Sequence, residues 1–290
     1  MTSLSKAEKG KLLSGLSTFG IGGPARYFLE VHSIEEMQNA LVSCFQEKIP
    51  YLVIGKGSNC LFDDRGFDGL VMLNKIHFCT FENESVHVGA GYSFSLIGVQ
   101  TARKGWSGLE FASGIPGTVG GAVFMNAGAN GHETCDCLID VTYISESGEL
   151  QTLPKEQLVF SYRSSSFQNR RGGIAAATFR LTLSPEARQK QLKIVDYRMH
   201  TQPYKDKSAG CVFRNPTQSA AGALIQQCGL KGLSIGGAQI SSMHANFIVN
   251  MGNATAEHVL ELAELVQRTV KEKTGIDLEM EIRRIPYQMG

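Results

Sequence analysis

Gly114-Ile-Pro-Gly-Thr-Val-Gly-Gly-Ala122 is the stretch whose reading decides the fold. Four glycines and one proline in nine residues make neither a good helix nor a continuous strand, because glycine weakens both and proline removes a backbone donor. They make a tight turn whose main-chain N–H groups can meet a flat or phosphorylated ligand. A second such stretch, Ile54-Gly-Lys-Gly-Ser-Asn59, lies earlier in the chain. Either loop alone reads equally well as a structural turn. Together they suit one extended ligand, such as a dinucleotide, held at two points.

The surroundings of the earlier loop predict a β-α-β unit. Arg26–Val31 alternates as a strand, and Ser33 with Glu36 matches a capping box that opens a helix to about Glu47. Tyr51-Leu-Val-Ile54 is then a buried strand ending at the glycines, the usual place for a nucleotide in α/β proteins. From about residue 69 short β runs take over: Leu70–Leu73, Ser85–Val88, Val141–Ser145, Leu150–Leu153 and Ala175–Leu183. The fold class is therefore α+β. Ser184-Pro-Glu186 starts a helix expected to run to about His200. Thr255 caps another, with Val259, Leu262, Ala263, Val266 and Val270 at helical spacing and Gly275 closing it. Leu278, Met280 and Ile282 then recur at period two and predict a terminal strand, with Glu279, Glu281 and Arg283 on its other face.

Composition bounds the function. The 290 residues carry a formal charge of +1 and are 42% hydrophobic and 19% charged, as in a soluble enzyme with a sizeable core. That balance gives no footprint for nucleic acid. No apolar run approaches the ~18 residues of a membrane span, and Lys6, Glu8, Lys9 and Lys11 interrupt any leader-like stretch. Seven scattered cysteines, an odd number, predict reduced thiols in a cytoplasmic protein. Cys135 and Cys137 have no second pair at zinc-site spacing, so no metal is expected.

A Rossmann site fails on context, since it needs G-x-G-x-x-G/A directly between a strand and a helix. Gly55-x-Gly57 puts Cys60 at the third position, and Gly89-x-Gly91 puts Phe94 there. Gly20-Ile-Gly22-Gly23-Pro24-Ala25 fits the formula, yet no strand precedes it and Pro24 interrupts it. A Walker loop is also missing. An anion-binding turn of successive N–H groups fits Gly-Lys-Gly-Ser-Asn better.

Further motifs carry a family resemblance: Leu16-Ser-Thr-Phe-Gly-Ile-Gly-Gly23, Gly108-Leu-Glu-Phe-Ala-Ser113 leading into the second loop, Asn126-Ala-Gly-Ala-Asn-Gly131 and Tyr162-Arg-Ser164. Ser208-Ala-Gly-Cys-Val-Phe-Arg-Asn-Pro216, Gly229-Leu-Lys-Gly232, His244-Ala-Asn-Phe-Ile-Val-Asn250 and Leu278-Glu-Met-Glu-Ile-Arg283 follow in order. The chain resembles the UDP-N-acetylenolpyruvoylglucosamine reductases, in their shorter form. The resemblance implies an FAD-binding fold of the vanillyl-alcohol-oxidase (PCMH) type over residues 1–186, in two lobes split near 70–75, and an αβ substrate domain over 187–290. It implies non-covalent FAD, NADPH as reductant and a monomer in the cytoplasm. The enolpyruvyl ether of UDP-N-acetylglucosamine would be reduced to UDP-N-acetylmuramate for peptidoglycan. FAD would be held by Gly55, Lys56, Gly57, Ser58, Asn59, Cys60 and Leu61, and by Ser113, Gly114, Ile115, Pro116, Gly117, Thr118, Gly120, Gly121 and Ala122.

The resemblance also implies roles for single residues. Hydride addition to the vinyl carbon builds negative charge beside a carboxylate, and a cation there lowers the barrier. Arg163 is the candidate, its planar fork suited to a carboxylate; by itself it reads as a surface residue. Glu281 is expected near the developing enolate, although Glu279 shares its face. Cys211 stands where the family has a proton-donating serine. A thiol, with a pKa near ~8.5, is the stronger acid; the alternative is a small buried hydrophobe with water as donor. Lys207 also departs from the pattern, where proline is usual. Tyr162, Lys205 and Asn215 are candidates for the nucleotide sugar, Lys205 being equally an ordinary loop lysine. His244 reads as a packing or hydrogen-bonding residue. Two alternatives remain at this stage: another FAD-dependent oxidoreductase of the same scaffold, and a non-catalytic flavin-binding module.

Overall fold

In the computed structural model, which describes residues 3–288, the chain divides into two compact parts that no single cut separates. Unit one takes the segment ending at Lys9 together with Tyr27–Gly55 and Gly69–Arg198. Unit two takes Gly10–Arg26, Lys56–Asp68 and the segment from Met199 onward.

Within unit one, helix α1 (Ile34–Glu47) starts where its cap is written. The Ser33 hydroxyl accepts from the Glu36 N–H, and the Glu36 carboxylate accepts from the His32 N–H at 2.6 Å. Lys48, at φ +53°, ends it. Met37, Ala40, Leu41 and Cys44 form its buried face and share a core with Val31, Leu70, Met72, Ile144 and Ala175. The strand Tyr51–Ile54 runs parallel to Phe67–Asn74, in the register Tyr51 to Leu70 through Ile54 to Leu73.

The larger sheet of this unit has five antiparallel strands, ordered Leu150–Pro154, Leu138–Ser145, Gly172–Arg180, Ser85–Gly89 and Cys79–Glu82. Its central strand is buried through Ile174-Ala-Ala-Ala177, and those small side chains let helices come close. Ala175 belongs to the core of α1, whereas Ala177 belongs to a second core with Val86, Val141 and Phe179. Helices α2 (Phe94–Arg103) and α3 (Val119–Met125) join that second core through Phe94, Ile97, Val119 and Val123. Helix α4 (Ala187–Thr201) follows Ser184-Pro-Glu186 as expected; only Ala187 and Gln191 on it are buried.

Unit two is built on helices α5 (Ala221–Gln227) and α6 (Ala256–Thr274) and a three-stranded antiparallel sheet, Ser234–Ile235, Ala238–Ile240 and Ile248–Asn250. The predicted α6 positions Val259, Leu262, Ala263, Val266 and Val270 form its buried face, Thr255 caps it, and Gly275 at φ +75° closes it. The Asp64 carboxylate adds to the cap, accepting from the Ala256 N–H at 2.9 and 3.0 Å. Phe19, Ile21 and Leu61 lie in this same core, which is why two early segments belong here. The terminal strand differs from expectation. Regular pairing covers only Arg283–Ile285, parallel to Cys60–Phe62, while Met280 makes an isolated bridge to Phe213. Leu278 and Ile282 are nonetheless buried, so the period-two pattern reads an extended segment correctly.

Candidate functional site

In unit one the second glycine loop hangs between α2 and α3. The short 3₁₀ turn Glu110–Ala112 leads into it, anchored by the buried Glu110 carboxylate, which accepts from the Ser107 hydroxyl and the Gly108 N–H, both at 2.7 Å. The Gly114 N–H donates to the Ser95 hydroxyl, the Phe94 N–H to the Gly117 carbonyl, and the Val119 and Gly120 N–H groups to the Tyr92 and Ala90 carbonyls. Gly114 and Gly117, at φ +84° and +153°, occupy backbone regions that favour glycine. Thr118 caps α3, its hydroxyl accepting from the Gly121 N–H. The orphaned Ser113 hydroxyl is buried without a hydrogen-bond partner.

Three glycines here are small for different reasons. A Cβ on Gly55 would come within 2.2 Å of the Thr118 hydroxyl oxygen, so the end of the Tyr51–Ile54 strand touches the second loop. A Cβ on Gly120 would meet Ala90 at 2.9 Å. Gly121 is exposed, and its added Cβ would meet only the Thr118 hydroxyl, at 3.6 Å. Protein packing explains the first two. The third faces open space at the start of α3, where a phosphate-bearing cofactor can approach the backbone closely. The fit to FAD is thus one of space beside Gly121, because the loop N–H groups of Gly114, Val119, Gly120 and Gly121 are already bonded within the protein.

Arg163 lies in the same unit, in the two-residue turn between the paired strands Phe160–Ser161 and Ser164–Ser165. Its φ of +55° is uncommon for a bulky residue. The guanidinium donates to the Gly128 carbonyl at 3.0 Å and sits 4.7 Å from the centre of the half-exposed Tyr162 ring. Several side chains fasten this turn to the end of α3. The fully buried Asn126 donates to the Ser161 carbonyl at 3.0 Å and to the Glu133 carboxylate at 2.7 Å, and accepts from the Cys135 N–H. Ser165 and Gln168 both donate to the Phe124 carbonyl, and Gln168 donates also to the Arg163 carbonyl. Gln168 escaped the sequence reading, because a glutamine five residues after an arginine carries no periodic or motif signal.

Unit two holds the rest of the first loop. Gly57 takes φ +58°, and a Cβ there would come within 2.3 Å of the Leu16 carbonyl. Lys56 is exposed; Ser58 is partly buried. The Asn59 side chain donates to the Glu281 carbonyl at 3.2 Å, while its own carbonyl accepts from the Arg283 N–H. Cys60 pairs with Arg283, and burial pushes its thiol up to about 11 against the opposing pull of Arg283. The Leu61 side chain is in the core, which leaves only its main chain for a cofactor.

The segment Cys211–Arg214 runs between two others in this unit. Cys211 bridges Phe247 on one side; on the other, the Val212 carbonyl accepts from the Glu281 N–H at 2.7 Å. Cys211 and Glu281, both partly buried, are thus brought to adjoining extended segments. The buried Asn246 bonds both the N–H and the carbonyl of Phe213. Glu279 is 79% exposed and forms an ion pair with Arg214 at 3.8 Å, so of the two glutamates it is the solvated one. Asn215 accepts from the Ala221 N–H and so anchors the start of α5, and Lys205 is exposed. His244 accepts from the Asn246 N–H and packs edge-on against Phe247; burial holds its pKa below the usual value. Among the described residues no three His, Cys, Asp or Glu side chains cluster as a metal site, and no helix is long and apolar enough to cross a membrane.

Comparison with known proteins covers both units. Residues 25–154 match the FAD binding domain family, and residues 202–285 match the family described as UDP-N-acetylenolpyruvoylglucosamine reductase, C-terminal domain. The chain is 62% identical over 281 residues to a UDP-N-acetylenolpyruvoylglucosamine reductase of Protochlamydia amoebophila, covering 96% of this chain and 94% of that one. It is 52% identical over 278 residues to the reductase of that name from Chlamydia trachomatis serovar A, covering 96% and 95%. The crystal structure of UDP-N-acetylenolpyruvylglucosamine reductase from Thermus caldophilus superposes with a TM-score of 0.83 at 38% identity, over 97% of this chain and 99% of that one. The expected FAD-binding fold is met, in the architecture of that reductase.

Proposed function

The chain belongs to the UDP-N-acetylenolpyruvoylglucosamine reductase family, and from that premise we infer that it reduces the enolpyruvyl ether of UDP-N-acetylglucosamine to UDP-N-acetylmuramate for peptidoglycan synthesis. What carries the reading is that the likeness runs the length of both chains, through the FAD-binding segment and the reductase segment alike. NADPH is the reductant, and the substrate is a small molecule. We assign the enzyme to the cytoplasm as a monomer.

The chemistry that FAD supplies when bound is hydride transfer, from NADPH to the terminal vinyl carbon of the substrate. In this proposal Gly55 to Leu61, Ser113 to Thr118 and Gly120 to Ala122 hold the cofactor, with the open space beside Gly121 admitting it close to the backbone. Holding is non-covalent in this proposal. Arg163 binds the substrate carboxylate and stabilises the negative charge that grows beside it. Cys211 donates its S–H proton to the carbon next to the carboxylate, and Glu281 helps polarise that carboxylate. Tyr162, Lys205 and Asn215 contact the nucleotide sugar. Hydride and proton together add two hydrogens across the double bond.

The test is product analysis. Purified protein given NADPH and the enolpyruvyl sugar is expected to yield a product heavier by two hydrogens, with NADPH consumed mole for mole. No product, with the flavin present and reducible, would reject the reading.

A further inference from the structure

We propose that Gln168 is a positioning residue for Arg163, and that it sets the guanidinium by tying the arginine's own carbonyl to the end of α3. The inference rests on the functional reading above, which makes Arg163 the cation beside the developing charge.

The geometry distinguishes Gln168 from its neighbours. Its side-chain amide has two N–H donors. The Gln168 amide nitrogen lies 3.1 Å from the Phe124 carbonyl and 3.2 Å from the Arg163 carbonyl, so one group bridges the helix end and the turn. Ser165 reaches the same Phe124 carbonyl at 2.7 Å without bonding Arg163. Phe124 is in the last turn of α3, the helix that the second glycine loop opens. An arginine at φ +55° persists only where its surroundings hold it. Gln168 holds its carbonyl, and Gly128 and the Tyr162 ring hold its guanidinium. Removing the Gln168 hold lets the peptide after Arg163 rotate toward an ordinary conformation, which swings the side chain off its carbonyl partner.

Consequences for rate are large because positioning is steep: a displacement of about 1 Å costs on the order of a hundredfold. Gln168→Leu keeps comparable bulk and removes both donors. Gln168→Glu keeps the length but offers acceptors to two carbonyls, so it should fare no better.

The experiment separates the two half-reactions under anaerobic conditions. In Gln168→Leu, flavin content and reduction by NADPH are expected within about twofold of the parent. Reoxidation by the UDP-enolpyruvyl sugar should slow by roughly ten- to a hundredfold, seen in kcat with little change in KM. In the flavin-free protein, amide hydrogen exchange should rise across residues 161–165 while α3 keeps its protection. Ser165→Ala is the control for a purely structural role. It loses a bond to the same carbonyl and should lower thermal stability comparably, without changing the balance between half-reactions. The inference is overturned if Gln168→Leu reoxidises at the parental rate, if it slows both half-reactions equally, or if Ser165→Ala shows the same selective loss. A parent protein that the sugar cannot reoxidise defeats the functional reading itself, and this inference with it.

Discussion

The main-chain N–H of Glu281 donates to the carbonyl of Val212 at 2.7 Å, and Val212 follows Cys211 directly. This bond lays side by side two main-chain segments that lie far apart in sequence, one carrying Cys211 and the other Glu281. If the thiol is the proton donor, Cys211→Ser keeps much of the turnover, because a hydroxyl can occupy the same place. Cys211→Ala should lose about 10²- to 10⁴-fold, the usual value of a positioned acid. Steady-state NADPH oxidation with the enolpyruvyl sugar measures both, and an alanine variant with parental turnover would return the proton to water.

Gly55 and Gly121 give opposite expectations. Gly55→Ala would press on the Thr118 hydroxyl and break the cap of α3. A lost cap costs about 0.5–2 kcal/mol, so both thermal stability and FAD affinity should fall. Gly121→Ala has room within the protein, and alanine is the better helix former by up to about 1 kcal/mol. The flavin-free variant should melt no lower than the parent, yet bind FAD more weakly, since the methyl group occupies the cofactor's approach. Fluorescence titration with FAD beside a thermal melt resolves the two effects. Unchanged FAD affinity in Gly121→Ala would remove this glycine from the cofactor site.

Asp64 should matter to unit two well beyond its place in the sequence. Its carboxylate accepts from the first N–H groups of α6, where both the unpaired donors and the helix dipole favour a negative charge. Asp64→Ala is expected to destabilise by about 1 kcal/mol, and Asp64→Asn by less, since the amide oxygen can still accept. Denaturant unfolding followed by circular dichroism checks the order.

Stability should weaken on the alkaline side. Burial pushes the Cys44 and Cys137 thiols up to about 12, with Glu47 and Asp136 respectively adding to the rise, and the Cys60 thiol up to about 11. A raised folded-state pKa leaves stability intact below the unfolded-state value. Between that value, ~8.5, and about 11 to 12, unfolding releases protons and is favoured. Melting temperature should therefore be flat up to about pH 8 and decline above it, and a Cys44→Ser, Cys60→Ser, Cys137→Ser triple variant should decline less steeply. An identical slope in that variant would assign the decline to other groups, Tyr51 and Tyr143 among them.

Much of this was legible in the sequence where the signal is local. The caps at Ser33 and Thr255, the stop at Gly275, the strand Tyr51–Ile54 and the apolar face of α6 all sit where short-range pattern puts them. The partition of the chain was not legible, because Phe19, Ile21 and Leu61 join a core built mainly from residues after 199, and such long-range burial leaves no periodicity. At the candidate site, the glycine loops announce themselves by composition. The left-handed backbone of Arg163 and its tie to Gln168 do not, since neither residue type signals that conformation. Glu279 and Glu281 share one face by alternation; only exposure tells them apart.

The most direct test of the central claim is an anaerobic titration of the purified yellow protein. NADPH should bleach the yellow flavin absorbance, and one equivalent of UDP-N-acetylglucosamine enolpyruvate should restore it with formation of UDP-N-acetylmuramate. A protein that bleaches but stays bleached when the enolpyruvyl sugar is added would contradict the account.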